Sequence, residues 1–396
     1  MNQYYATIVI ALLSACTANN QSTLTDPISC ATSVARSEMQ RTPHAVNLDF
    51  LSEPKWNYAA GVELLGMEQL AQIINDSAML AYTYSFADSF ILTDGTIRGY
   101  KVEEYNIDRV NSGKLLIEIY RRTGEERFKQ AATNLRNQML THPRTSEGGW
   151  WHKRVYPHQM WLDGLYMAAP FVAQYDAMFA PDSANFADVV NQFLVVGRHT
   201  FDAQTKLYRH AWDETHTQFW ADSVSGQSQH AWGRANGWYF MAMADVLSLI
   251  PAETIGRDTL LMRFRELAEA LLAVRDTATG MWFQVLDSPY RDGNYVESSC
   301  SAMFIYAMLK GAQTGLLSTK FDAIARQAYQ QFISTFVVDT ADGLTSIEQC
   351  CAVAGLGGKA MRNGSFSYYI SEPIRPNDPK TIGPFLMASC FFSHKY

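Results

Sequence analysis

The chain has 396 residues, 47% apolar and 18% charged, the composition of an ordinary soluble globular protein. Its net charge of -7 leaves no basic footprint, which argues against nucleic acid as a partner. Length alone allows two or three domains, although helical barrels of this size commonly form one.

The first element is a targeting segment. Residues Ala6 to Ala15 make a short, mostly apolar run, too short to span a bilayer as a helix. It ends in Leu13-Ser14-Ala15-Cys16, which resembles a bacterial lipobox, with cleavage before Cys16 and acylation of its thiol. No Lys or Arg precedes Arg36, so only the α-amino group supplies the positive charge with which signal peptides begin. The expected organisation is a signal peptide over 1–15 and a Ser-, Thr- and Asn-rich tether over 16–43, followed by one domain over 44–396. The membrane is then met only through the lipid anchor. That places the protein in a bacterial cell envelope, facing the periplasm or the exterior.

Helical patterns follow. Val62, Leu64, Leu65, Met67, Leu70 and Ile73 lie at helical spacing, and so do Leu115, Leu116, Ile119 and Tyr120. Leu165, Ala168, Ala169, Val172 and Tyr175 repeat the pattern, as do Phe240, Met243, Ala244 and Leu247. Alternating β patterns are few and short, so the fold class is all-α.

A loose repeat sharpens this reading. Polar or aromatic residues precede a small residue that opens an apolar helix at Gly61, Gly113, Gly164, Gly237, Ser299 and Gly383. The intervals are 52, 51, 73, 62 and 84 residues, so the later units carry insertions. A period near fifty is about what two helices and their turns consume. Six hairpins that cannot bury their faces alone would close into an (α/α)6 barrel. The residues around the start of each inner helix, among them Asp108, Asp163, Arg234 and Trp238, occupy equivalent places in successive units and would then converge on one mouth.

Apart from Cys16, the cysteines at 30, 300, 350, 351 and 390 do not pair off evenly, and none shows zinc-site spacing. Buried free thiols are expected. No Gly-rich phosphate loop follows a strand, so no metal, nucleotide or other cofactor is implied.

Two segments carry chemistry. The run Tyr156-Pro157-His158-Gln159-Met160-Trp161-Leu162-Asp163-Gly164-Leu165-Tyr166-Met167 sets Asp163 among Trp161, Leu162, Leu165 and Tyr166. Read alone, Asp163 is either a helix N-cap or a carboxyl that an apolar surround keeps protonated as a general acid. The second segment, His230 to Trp238, sets Arg234 between Trp232 and Trp238, where a guanidinium and indole faces suit an anionic sugar. A surface salt bridge is the alternative for Arg234.

Together these segments resemble the unsaturated rhamnogalacturonyl hydrolases, glycoside hydrolase family 105, from about Trp56 to Phe385. The resemblance implies an (α/α)6 barrel and an enzyme that removes the unsaturated uronic acid polysaccharide lyases leave on an oligosaccharide's non-reducing end. It implies that Asp163 gives a proton to the sugar and takes one from water. Asp108 would bind hydroxyls and, by like-charge proximity, help keep Asp163 protonated; a turn or cap Asp is its alternative. His152, His210, Trp232, Arg234, Trp238 and, by a looser match, Tyr58 would contact the substrate. His158 would support the site. The tail, Tyr368 to Lys380, would be structural.

Two other classes compete. An inverting glycosidase on the same barrel could use Asp108 and Asp163 as acid and base, but no Asp-Asp pair occurs in the chain. A lipid-anchored, non-catalytic glycan-binding protein would use the tryptophans without needing Asp163. Oligomeric state and the preferred aglycone have no signature here. The lipobox makes its own prediction: Cys16→Ser should release the protein from membranes or leave it uncleaved, read by fractionation and mass of the mature chain, and unchanged processing and membrane association would refute it.

Overall fold

Helix caps and helix burial set the architecture of this chain, seen in a computed structural model that describes residues 26–393. The lipobox Leu13–Cys16 lies outside the described residues. The helices are α1 (Pro27–Arg41), α2 (Tyr58–Ile74), α3 (Ser77–Phe90), α4 (Gly113–Thr123), α5 (Glu126–Thr141), α6 (Leu162–Phe179), α7 (Ser183–Thr200), α8 (Gly233–Leu247), α9 (Arg257–Ala273), α10 (Ser298–Gln313), α11 (Lys320–Phe336), α12 (Phe366–Ser371) and α13 (Pro379–Cys390). The protein is mostly helical, as the periodicity predicts. Among the described residues, no helix is long and apolar enough to cross a membrane.

Polar side chains start several of these helices. Asn57 accepts from the Ala60 amide at 2.9 Å and opens α2, Glu297 accepts from the Cys300 amide at 2.8 Å and opens α10, and Asp378 accepts from the Lys380 amide at 2.9 Å and opens α13. Pro379 follows Asp378, where a missing N–H costs nothing. At the other end of α4, Gly124 takes a left-handed φ of 71° and closes the helix.

Burial divides the helices into two sets. Every residue of α8 is buried, the mark of a helix surrounded by others. Helix α11 buries only one stripe, including Phe321, Ala325, Ala328 and Phe332. The inner helices contact one another in a circuit: α2 on α4, α4 on α6, α6 on α8, α8 on α10, α10 on α13, and α13 back on α2. Outside them, α3 packs on α2, α5 on α4, α7 on α6, α9 on α8 and α11 on α10.

The partner of α13 corrects the tether expectation. Residues 27–41 form α1, which packs on α13, and its Cys30, Val34 and Ala35 are fully buried. Asp26 caps it by accepting from the Ser29 amide at 2.8 Å, and Pro27 sits at its first position. So this stretch is an outer helix. The composition misled because its buried face is built of small residues instead of leucines.

Six short strands pair two by two: β1 (Gln159–Trp161) with β2 (Ala211–Asp213), β3 (Val337–Asp339) with β4 (Thr345–Ile347), and β5 (Cys350–Cys351) with β6 (Ile374–Arg375), all antiparallel. The cysteines at 30, 300, 350, 351 and 390 are free and buried.

The α2–α13 contact is the closest-packed of the circuit. A methyl group on Gly383 would stand 2.5 Å from the Val62 carbonyl oxygen, and one on Gly66 would stand 2.6 Å from the Gly383 carbonyl oxygen. Backbone cannot yield as a side-chain tip can. Gly383→Ala should therefore cost about 1–3 kcal/mol of stability, read as a lower urea midpoint; an unchanged midpoint would show that the two helices separate freely.

Candidate active site

Strand β1 runs straight into α6, and β2 fixes the approach. Trp161 pairs with Ala211, and the Leu162 amide donates to the His210 carbonyl at 3.0 Å. This puts Asp163, in the first turn of α6, opposite His210. The His210 Nε2 lies 3.0 Å from the Asp163 Oδ2. The alignment falls short of a hydrogen bond and both atoms keep their capacity for another partner. His210 is fully buried, and its Nδ1 lies 2.8 Å from the Tyr369 hydroxyl, which fixes the ring. The N-cap of α6 is Trp161, and no side chain caps that end. The cap reading of Asp163 is therefore set aside: its carboxylate faces a histidine instead of a backbone amide.

A second carboxylate comes from the 3-10 turn at Ile107–Val110. Asp108 contacts the Lys153 Nζ at 2.5 Å, with the His152 Nε2 at 3.7 Å. Burial acts to raise its pKa, but Lys153, His152 and Arg109 outweigh burial and hold the carboxyl below its usual range. His152 joins the two carboxylates. Its ring is stacked on Trp161 at 4.4 Å, and its Nδ1 would be 3.1 Å from a methyl group on Gly164. Gly164 is thus the small residue that lets His152 lie against the start of α6. Burial pushes the His152 pKa down to about 4, although Asp108 and Asp163 both act to raise it.

Arg234, in the first turn of α8, is 1% exposed, which rules out the surface salt bridge. Its guanidinium lies 5.0 Å from the ring centre of Trp232, reaches the Cys350 Sγ at 3.6 Å and donates to the Cys351 carbonyl; its Nε has no partner. Burial opposes its charge, but Cys350, Cys351, Glu297 and Asp378 more than compensate. Trp232 stacks on Tyr369 at 5.9 Å and donates its Nε1–H to the Gln284 side chain at 3.0 Å. Trp238 packs against Tyr166 at 4.8 Å and meets Tyr58 edge-on at 6.5 Å. Burial pushes the Tyr58 hydroxyl pKa up, with Lys380, Asp108 and Arg234 close enough to act on it.

The structure thus gathers Asp163, His210, His152, Asp108, Trp232, Arg234, Trp238 and Tyr58 at one end of the inner helices. His158 stands aside: its Nδ1 contacts Glu214 at 3.0 Å and its ring lies on Trp151 at 4.5 Å, bracing the β1–β2 pair. Two further residues complete the arrangement: Lys153, to which the sequence assigns no role, and Tyr369, to which it assigns only a structural one as part of the tail. Lys153 neutralises Asp108, and its place beside His152 was the available signal. Tyr369 orients His210 from 159 residues away, and nothing local marks that. Among the described residues, no group of His, Cys, Asp and Glu is placed to hold a metal ion.

A helical ring with two carboxylates and a guanidinium among indoles at one end defines a class of carbohydrate-active enzyme. The family model described as Glycosyl Hydrolase Family 88 matches residues 30–394. A solved glycoside hydrolase from family 105 of C. acetobutylicum ATCC 824 is 43% identical, with a TM-score of 0.87 over 91% of this chain and 98% of that one. The unsaturated rhamnogalacturonyl hydrolase YesR of Bacillus subtilis is 27% identical over 70% of this chain and 76% of its own length. The unsaturated glucuronyl hydrolase of Bacillus sp. GL1, 13% identical over 92% of this chain and 96% of that one, has the same fold with a TM-score of 0.69. The chain belongs to glycoside hydrolase family 105, the unsaturated rhamnogalacturonyl hydrolase family.

The depressed His152 pKa has a consequence for stability. An unfolded imidazole binds its proton at about 6.5, whereas native His152 does so only at about 4. Between those values the unfolded chain holds more protons, so stability falls as pH falls through the window. His152→Gln should flatten that loss in urea titrations run from pH 7 to pH 4; an equally steep loss in the variant would assign the acid sensitivity elsewhere.

Proposed function

We propose that this protein removes a 4,5-unsaturated uronic acid from the non-reducing end of lyase-generated oligosaccharides, of which rhamnogalacturonan fragments are the first choice. The observation that carries the reading is Asp163 facing the His210 Nε2 at 3.0 Å, with His152 under the influence of both Asp163 and Asp108. The name of the Bacillus subtilis relative supports the rhamnogalacturonan choice. The catalytic unit is proposed to be one (α/α)6 barrel, with α1 as its sixth outer helix, tethered to the cell envelope through Cys16.

The chemistry uses one residue twice. The C4=C5 bond of such a sugar is a vinyl ether, conjugated with the carboxylate. Protonated Asp163 gives its proton to C4, and positive charge develops at C5, shared with the ring oxygen. Water adds at C5 and returns a proton to Asp163, leaving a hemiketal. That hemiketal opens by breaking the bond between C5 and the ring oxygen, and the hemiacetal formed at C1 then expels the aglycone as an alcohol. One water is consumed and the carboxyl is restored. Lys153 compensates the charge of Asp108, which serves to hold hydroxyls. Arg234 and the uncapped first turn of α8 offer positive potential to the sugar's carboxylate, and Trp232 and Trp238 offer ring faces.

Asp163→Asn preserves size and should fold normally, yet lose about 10²–10⁴-fold in kcat, followed as decay of the ultraviolet absorbance of an unsaturated disaccharide. Asp108→Asn should cost less. A fully active Asp163→Asn enzyme, or cleavage of the saturated disaccharide at a comparable rate, would overturn the mechanism. Arg234→Lys keeps the charge and loses the planar fork, so KM should rise; unchanged kinetics would take Arg234 off the substrate.

A further inference from the structure

All six inner helices line a cavity of 420 Å3, well inside the size range of small-molecule sites. Its residues sit far along those helices, as with Gln69 on α2, Gln174 on α6, Asp245 on α8 and Lys310 on α10. The first turns that carry Asp163 and Arg234 are at the other end. Helix α4 starts deep in the ring, since a methyl group on its Gly113 would meet the Phe171 ring at 2.5 Å, and this brings Lys114 into the cavity wall.

Most of the charges here have an evident role. Lys310, in the last turn of α10, contacts Asp245 at 2.7 Å, and Arg121, in the last turn of α4, contacts Glu118 at 3.1 Å. Each also favours the negative end of its own helix. Lys114 has neither compensation. It is 3% exposed and lies in the first turn of α4, where the helix end disfavours a cation. Its Nζ lies 3.4 Å from the Tyr166 ring centre and donates to the Tyr166 carbonyl at 3.3 Å. Among the described residues, no carboxylate lies within ion-pair distance of it. Burial pushes its pKa down to about 7, with Asp245 raising it and Lys310 lowering it. Helices α2 and α13 present Gln69 and Met387, which do not titrate, and α10 adds the Tyr306 hydroxyl, bonded to Asp245.

We propose that this cavity is a second ligand site, which takes a small hydroxylated monocarboxylate by pairing its carboxylate with Lys114 and its hydroxyls with Gln69 and Gln174. One lysine without an acidic partner calls for one negative charge, and the amide side chains supply donors and acceptors, the Gln174 Nε2 already donating one hydrogen to Glu118 at 2.7 Å. The proposal is independent of the reaction assigned to Asp163.

The test is calorimetric titration of the full chain with D-gluconate at pH 8, in buffers of different ionisation enthalpy. Gluconate is an open-chain probe with no pyranose ring for the tryptophans at the other end. Binding should be accompanied by net proton uptake, because the paired carboxylate favours the charged form of Lys114. It should weaken at least tenfold in Lys114→Met and in Gln69→Trp, which fills the cavity from its rim. Gln69→Trp should retain the hydrolytic rate. No binding, binding without proton uptake, or binding undiminished by Gln69→Trp would overturn the proposal. Should circular dichroism show Lys114→Met unfolded, Gln69→Trp decides alone.

Discussion

Buried charge at the ends of the inner helices is the constraint that organises this molecule. A guanidinium as enclosed as Arg234 loses most of its hydration, at a cost of several kcal/mol per ion, and must recover it from fixed partners. Those partners come from the far end of the sequence. Glu297, fully buried at the start of α10, accepts from the Cys351 amide at 3.0 Å, and the Cys351 carbonyl in turn accepts from Arg234. Asp378, at the start of α13, is shared by Arg375 at 2.6 Å and Lys380 at 2.8 Å. The β5–β6 pair is thereby bound to the inner helices by electrostatics as well as by packing. Removing one member of such a network leaves an unmatched buried charge, which typically costs about 3–5 kcal/mol.

The same rule separates the two carboxylates of the site. Asp108 has a lysine against it and is held as an anion. Asp163 instead faces the ring of a histidine, whose other nitrogen is engaged by Tyr369. Two carboxyl groups in unlike surroundings are what an enzyme needs if one is to bind and the other is to move protons. The two carboxyl groups differ in the side chain each one meets, a lysine for Asp108 and a histidine for Asp163.

Much of this was legible from residues alone, for reasons that differ by element. The inner helices were visible because a helix buried all round is long, apolar and carries a small residue near its start, as at Gly164 and Gly237. Asp163 and Arg234 were visible because the residues around them sit in short runs whose types are dictated by the chemistry, whereas His152 entered only through the resemblance to the family. Helix α1 was not, because Ala31, Ala35 and Cys30 bury a face without the bulky residues that announce one. Its Asp26-Pro27 start was the overlooked signal. Tyr369 was legible only as part of a structural tail, because its partner His210 is 159 residues away and joined to it only by the closing of the helical circuit. Lys114 reads in sequence as an ordinary helix-surface lysine; only the deep start of α4 makes it an interior charge.

The central claim is that water adds across a double bond and the glycosidic bond breaks as a consequence. Hydrolysis of an unsaturated disaccharide in heavy water, with nuclear magnetic resonance spectra of the product taken at the earliest time points, tests this directly. The account predicts one deuterium at C4, delivered to a single face, in a product that has lost the C4=C5 bond. A released uronic acid that still carries that double bond and no deuterium at C4 would contradict it.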